Sequence, residues 1–126
     1  MYKIMLADDE GIVIDSLSFI IEKEFGISCQ IESAKTGRNV IELAERFRPD
    51  IAFMDIQMPI MNGYDAAKSI RQLPRKDAQT VWIVAMTANA FVEDIRLSQE
   101  AGMNEHCSKP VNADRLHEIL RKHFSY

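Results

Sequence analysis

Short apolar runs, alternating strictly with stretches of helical spacing, constrain this chain more than any other feature. KIMLA (3–7), CQIESA (29–34), DIAFM (50–54), TVWIVAM (80–86) and the weaker NEHCS (104–108) read as strands. Between and after them, apolar residues recur at three- and four-residue intervals. Val13, Leu17, Ile20 and Ile21 mark the first stretch, Val40, Leu43, Ala44 and Phe47 the second, and Ala66, Ala67, Ile70 and Leu73 the third. Ala88, Phe91, Val92 and Ile95 mark the fourth, and Leu116, Ile119, Leu120 and Phe124 the fifth. Parallel strands cannot be joined by a tight hairpin. An alternation this regular therefore predicts a (βα)₅ chain, with a parallel sheet covered on both faces by helices through right-handed crossovers. DIAFM, apolar over most of its length, suits a strand buried on both sides.

The punctuation fits that pattern. Thr36 and Asn112 stand where N-caps belong, Asn62 offers a further cap, and Gly26 and Gly102 follow helical stretches where a left-handed residue ends a helix. No linker, repeat or low-complexity segment interrupts it. The 126 residues fit one domain, 1–126, burying roughly two-thirds of the surface of the unfolded chain. They end soon after the fifth helical stretch, so no output domain is expected within them.

Charge and composition narrow the function. A net charge of −4 and a pI near 5.3 repel a phosphate backbone, which argues against direct nucleic-acid binding. No apolar run approaches the roughly 20 residues of a membrane span, and MYKIMLADDE lacks the form of a signal peptide, so the cytoplasm is the expected location. Cys29 and Cys107 form no metal or redox spacing and are expected to be free thiols.

In a doubly wound parallel sheet the C-terminal strand ends share one edge, where ligand sites form. Placed there are Asp8, Asp9 and Glu10 after the first strand, Asp55 after the third, Thr87 after the fourth and Lys109 after the fifth. Acids so close together repel one another unless a cation joins them. Oxygen ligands with positions left open for water and phosphate suit Mg²⁺ better than Zn²⁺. Lys109 adds a second positive charge, and Thr87 a hydroxyl able to donate to a phosphoryl oxygen. The set describes a phosphoryl-transfer centre with Asp55 as nucleophile and the Asp8-Asp9 pair holding the metal.

Taken in order, DDE (8–10), MDIQMPIMNG (54–63), MTAN (86–89) and SKP (108–110) resemble the receiver domains of two-component response regulators, and the likeness spans essentially the whole chain. The resemblance implies a flavodoxin-like fold with strand order 2-1-3-4-5. It implies that Asp55 accepts a phosphoryl group from a histidine kinase or histidine phosphotransfer protein. Asp9, Asp55 and the backbone carbonyl of Gln57 would bind Mg²⁺ with Asp8 assisting, Lys109 would pair with the phosphate, and Thr87 would act as the switch hydroxyl. It further implies a cis Lys109-Pro110 bond and signalling through the surface of the fourth helix, fifth strand and fifth helix, on which the last helix, NADRLHEILRKHF, contributes basic residues.

Two features depart from the family pattern. His106 stands where chemotaxis-type receivers place an aromatic switch residue. Residues 1 to about 53 are similar to receivers attached to DNA-binding transcription factors, and the rest to receivers of hybrid sensor kinases, a split that a chimera would produce. Two other functions use related chemistry. A small aspartate-nucleophile phosphatase shares the carboxylate, but its general acid would fall at Gln57. A flavin module shares the topology, but it needs a phosphate-binding loop where this chain has Asp8-Asp9-Glu10. Trp82, Val84 and Met86 read as one core face of a strand, and His117 and His123 as solvated helix residues rather than ligands.

Overall fold

Five parallel strands form one sheet in the order β2-β1-β3-β4-β5, in a computed structural model that describes residues 2–24, 28–58, 61–88 and 92–124. They are β1 (Tyr2–Ala7), β2 (Cys29–Ala34), β3 (Ile51–Asp55), β4 (Trp82–Thr87) and β5 (Glu105–Ser108). The alternation is the one expected from the sequence, and the strand order is the one the resemblance implied. Every residue of the central β3 is buried, whereas the edge strand β2 buries fully only Ala34, which explains why CQIESA carries polar residues.

The helices are α1 (Gly11–Phe19), which continues as a π-helical turn over Ile20–Glu24, α2 (Gly37–Phe47), α3 (Gly63–Arg71), α4 (Lys76–Thr80), α5 (Val92–Glu100) and α6 (Ala113–His123). Successive strand residues point to opposite faces. Met5, Ala7, Ala52 and Met54 therefore pack under α2 and α3, while Ile4, Leu6, Ile51 and Phe53 pack under α1 and α6. Val84 and Met86 belong to the second of these clusters, with Trp82 against its edge, so the alternation expected in that strand holds. Thr36, Asn62 and Asn112 each accept a hydrogen bond from the backbone N–H three residues on, at 3.2, 2.9 and 2.7 Å, and so start α2, α3 and α6.

Several expectations shift. The third helical stretch stops at Arg71, and Leu73 packs against the core from the following turn. A short helix, α4, follows where the sequence suggested only a connection. Gly102 adopts the left-handed conformation foreseen for it, at φ 91°, whereas Gly26, Phe91 and the start of the fourth stretch at 89–91 lie outside the described residues. Nothing in the sequence around Arg71 marks it as a structural residue. Its guanidinium donates to the carbonyls of Gly102 (2.8 and 3.0 Å) and Ala78 (3.0 Å) and to Asn104 Oδ1 (2.9 Å), tying α3 to α4 and to the turn before β5. Cys29 and Cys107 are free thiols on strands at opposite edges of the sheet. Among the described residues no helix is long and apolar enough to cross a membrane.

Candidate functional site

Strand register brings the chemistry together. Ala7 pairs with Met54, Asp55 with Met86 and Thr87 with Ser108, so the residues that end β1, β3, β4 and β5 lie level along the C-terminal edge. Among the described residues the buried polar and charged side chains are Asp8, Asp55, Thr87 and Ser98, and the first three converge there. Buried acids need partners, and both find one in Lys109. Its Nζ lies 2.7 Å from Asp8 Oδ2, 3.3 Å from Asp55 Oδ2 and 3.7 Å from Glu10 Oε1.

Local backbone aims these groups. The N–H of Glu10 donates to Asp8 Oδ1 at 2.9 Å, and that of Gln57 donates to Asp55 Oδ1 at 3.0 Å, so each carboxylate is oriented by the turn that follows it. Gly63 begins α3 directly against β3. A Cβ there would lie 2.5 Å from the Asp55 carbonyl oxygen, so only glycine lets the helix approach this closely. The backbone N–H of Lys109 donates to the carbonyl of Thr87 at 2.7 Å, joining the ends of β4 and β5, and the Lys109-Pro110 bond is cis, as the resemblance implied.

Burial pushes the Asp55 carboxyl above its ordinary range and the nearby Asp8 charge adds to this, while the Gln57 N–H and Lys109 offset only part of it. For Lys109, burial alone would weaken the ammonium, but the carboxylates of Asp8 and Asp55 outweigh it and hold the group above its usual value.

The donor set fits a divalent cation on two observations. Carboxylate oxygens of Asp8, Asp9 and Glu10 all lie within 4.8 Å of one another. The buried Asp8 Oδ2 accepts no hydrogen bond of ordinary geometry, its contact being the Lys109 ammonium. Hard oxygen donors of this kind suit Mg²⁺. Of the ligand set expected from the sequence, Asp8 and Asp9 fall in this cluster, whereas Asp55 stands outside it and is linked to Asp8 through Lys109; Gln57 directs its N–H to Asp55. Glu10 was visible in the sequence as a third acid, but nothing in its position there disclosed the approach to Lys109.

The histidines divide. His106 is half-buried on β5, opposite Ala85, and its carbonyl accepts from Arg115 Nη2 at 3.1 Å. His123 is not simply solvated. Its ring lies 5.6 Å from that of Trp82 and 4.9 Å from that of Phe124, so it packs at the far end of β4.

A doubly wound α/β sheet with buried acids and a lysine at its C-terminal edge defines a class of α/β domains that carry their polar site at the strand ends, and comparison narrows it. Residues 4–121 match the family model of the response regulator receiver domain, and the chain belongs to that family. It is 32% identical over 125 residues to hybrid signal transduction histidine kinase L of Dictyostelium discoideum, covering 96% of this chain and 7% of that protein. It is 31% identical over 119 residues to transcription factor SKN7 of Saccharomyces cerevisiae, covering 94% and 18%. The chain thus spans less than a fifth of the length of these curated relatives. The receiver domain of a sensor histidine kinase from Pseudomonas aeruginosa PAO1, solved with a magnesium ion coordinated in its active site cleft, superposes with a TM-score of 0.85 at 27% identity, covering 99% of this chain and 98% of that one. A hybrid kinase and a transcription factor each match across both halves, and one family match runs through residue 53. The chimera suggested by the two halves therefore finds no support.

Proposed function

We propose that the chain is the phosphoacceptor switch of a two-component relay, with Asp55 as the residue phosphorylated. The observation that carries this is Lys109, whose ammonium joins Asp8 and Asp55 at 2.7 and 3.3 Å where three strands end. An Asp55 carboxylate oxygen forms a bond to the phosphorus of a phosphohistidine. The phosphorus–nitrogen bond breaks, and its electron pair stays on the imidazole of the donor, which takes a proton from water. Lys109 neutralises charge on the transferred group, and Thr87, buried at the end of β4, offers a hydroxyl to one of its oxygens. Mg²⁺, held by Asp8 and Asp9 with Asp55 and the Gln57 carbonyl, would supply further neutralisation of the phosphoryl oxygens. The magnesium ion in the P. aeruginosa receiver supports that assignment.

The donor is a histidine kinase or a histidine phosphotransfer protein, and the chain acts in the cytoplasm. Its catalysis is confined to its own aspartate. Drawing Thr87 toward the phosphoryl group shifts the surface of α5, β5 and α6 between two conformers, which needs only the few kcal/mol that separate them. That surface meets the downstream effector.

The test is intact mass after incubation with Mg²⁺ and acetyl phosphate. The parent is expected to gain a labile phosphoryl adduct, and Asp55→Asn none; an unmodified parent overturns the assignment.

A further inference from the structure

Glu10 occupies the N-cap of α1 and does not cap it. Its side chain makes no cap hydrogen bond, whereas Thr36, Asn62 and Asn112 each make one at α2, α3 and α6. Glutamate is in any case a weak choice for that position, because the side chains favoured there are short ones that reach the second or third helical N–H. The backbone N–H of Glu10 orients Asp8, which leaves the side chain without a part in starting the helix. That side chain is instead 60% exposed and reaches over the mouth of the site, with Oε1 3.7 Å from Lys109 Nζ. Glu10 and Lys109 also face the same cavity, of about 350 Å³, beside α1.

On the reading of Asp55 as phosphoacceptor, we propose that Glu10 is a positioning and specificity residue. Its carboxylate competes for Lys109 and sets a negative charge at the entrance, which selects against small dianionic phosphodonors. Asp8, Glu10 and Asp55 face the Lys109 ammonium there, Asp9 lies with the first two, and a second ammonium, that of Lys35, lies beside Gly11, so cations at the entrance are outnumbered by acids. A free donor must bring its own charge past them, and the repulsion scales with that charge. Glu10 is the exposed carboxylate paired with Lys109, so removing its charge relieves one of three claims on the ammonium, leaves those of Asp8 and Asp55, and lowers the entrance barrier without touching the acceptor. A phosphohistidine presented on a protein arrives with its charge already compensated by neighbouring groups and is less affected. The selection thus favours a protein donor over free acyl-phosphates.

The experiment compares two small donors of different charge, acetyl phosphate as a dianion and phosphoramidate as a monoanion near neutral pH, on the full chain at saturating Mg²⁺. Initial rates of phosphorylation are followed by intact mass for the parent, Glu10→Gln and Glu10→Asp. For Glu10→Gln the rate constant with acetyl phosphate is expected to rise about fivefold and that with phosphoramidate about twofold, as for one unit charge several ångströms away in a high dielectric. Most of this belongs in the apparent KM for the donor rather than in the maximal rate, and the difference shrinks in high salt. Glu10→Asp keeps the charge and is expected to keep the donor ratio of the parent. Equal changes with both donors, or none, overturn the proposal for Glu10 while leaving Asp55 as acceptor. A parent that neither donor phosphorylates removes the reading on which the proposal rests.

Discussion

Asp8 and Lys109 form the shortest ion pair of the site, 2.7 Å between Oδ2 and Nζ, with the carboxylate 1% exposed and the ammonium 18%. A buried pair of this kind adds little over an apolar pair, but removing one partner strands the other. Lys109→Ala should therefore destabilise the fold by roughly 3 kcal/mol in buffer containing EDTA, since Asp8 and Asp55 both lose their cation. Saturating Mg²⁺ is expected to restore much of that loss, because it binds the folded state preferentially. Urea unfolding with and without Mg²⁺ measures both quantities, and a variant as stable as the parent in EDTA would show that the pair carries no such weight.

Asp55 has the opposite sign. Burial, with help from Asp8, raises its folded pKa above the 3.8 of an unperturbed carboxyl. The folded state therefore holds a proton that the unfolded chain releases, and stability from this group falls as pH rises through and beyond 3.8. Asparagine has no such penalty, and Lys109 retains Asp8 as a partner. Asp55→Asn should be more stable than the parent at pH 7 without Mg²⁺, with the gap shrinking as pH falls and closing only well below 3.8, where the Asp55 carboxyl is protonated in both states. Unfolding midpoints measured across that range decide the matter; a variant less stable at pH 7 contradicts it.

The fold was legible because its elements repeat a simple code. Runs such as IAFM at the sheet centre and the spacing of Val40, Leu43, Ala44 and Phe47 each encode burial in one dimension. The site was legible because parallel topology sends every strand's last residue to the same edge, so Asp8, Asp55, Thr87 and Lys109 could be gathered without knowing any distance. What escaped depends on three-dimensional contact. The segment forming α4 is short and polar, and its helix depends on Ala78 and Val81 packing into the core. Arg71 reaches backbone carbonyls, which leave no mark in the sequence. His123 looked like a solvated residue because its partners, Trp82 and Phe124, come from β4 and the end of α6. Glu10 was counted as an acid, but only the geometry shows it turning from the helix cap toward Lys109.

Arg71 offers a test of that hidden structure. The guanidinium is half-buried, and burial lowers its pKa without discharging it. Its hydrogen bonds satisfy carbonyls in α4 and in the turn before β5, so Arg71→Ala leaves Ala78 O and Gly102 O without this donor. A loss of about 2–4 kcal/mol is expected, and Arg71→Lys should recover only part of it, because an ammonium cannot reproduce the planar fork. Chemical denaturation gives the stability, and phosphorylation well below the melting temperature should be unchanged, since the residue binds the turn that enters β5 and not the C-terminal strand ends.

Cys107 provides a pH dependence independent of the site. Burial raises its thiol from 9.0 to about 11, with Glu105 adding to the rise and Arg115 opposing it. The folded state keeps the proton longer than the unfolded chain, so the stability it confers is constant below pH 9 and falls as pH climbs from 9 to about 11. A rise of that size corresponds to roughly 2.7 kcal/mol at the upper end of the range. Cys107→Ala loses buried contacts, so near neutral pH it should be less stable than the parent by about 1–2 kcal/mol. It lacks the thiol titration, so the two curves should converge through the alkaline range and meet or cross near its end. Lys109 and the other basic groups titrate in both proteins and cancel in the difference. The same burial makes Cys107 inert toward iodoacetamide at pH 8 in the folded state, while the half-buried Cys29 is the faster of the two to react. Parallel stability curves from pH 7 to 11, or rapid alkylation of Cys107 in native protein, would mean that the β5 thiol is far more open to water than its 3% exposure indicates.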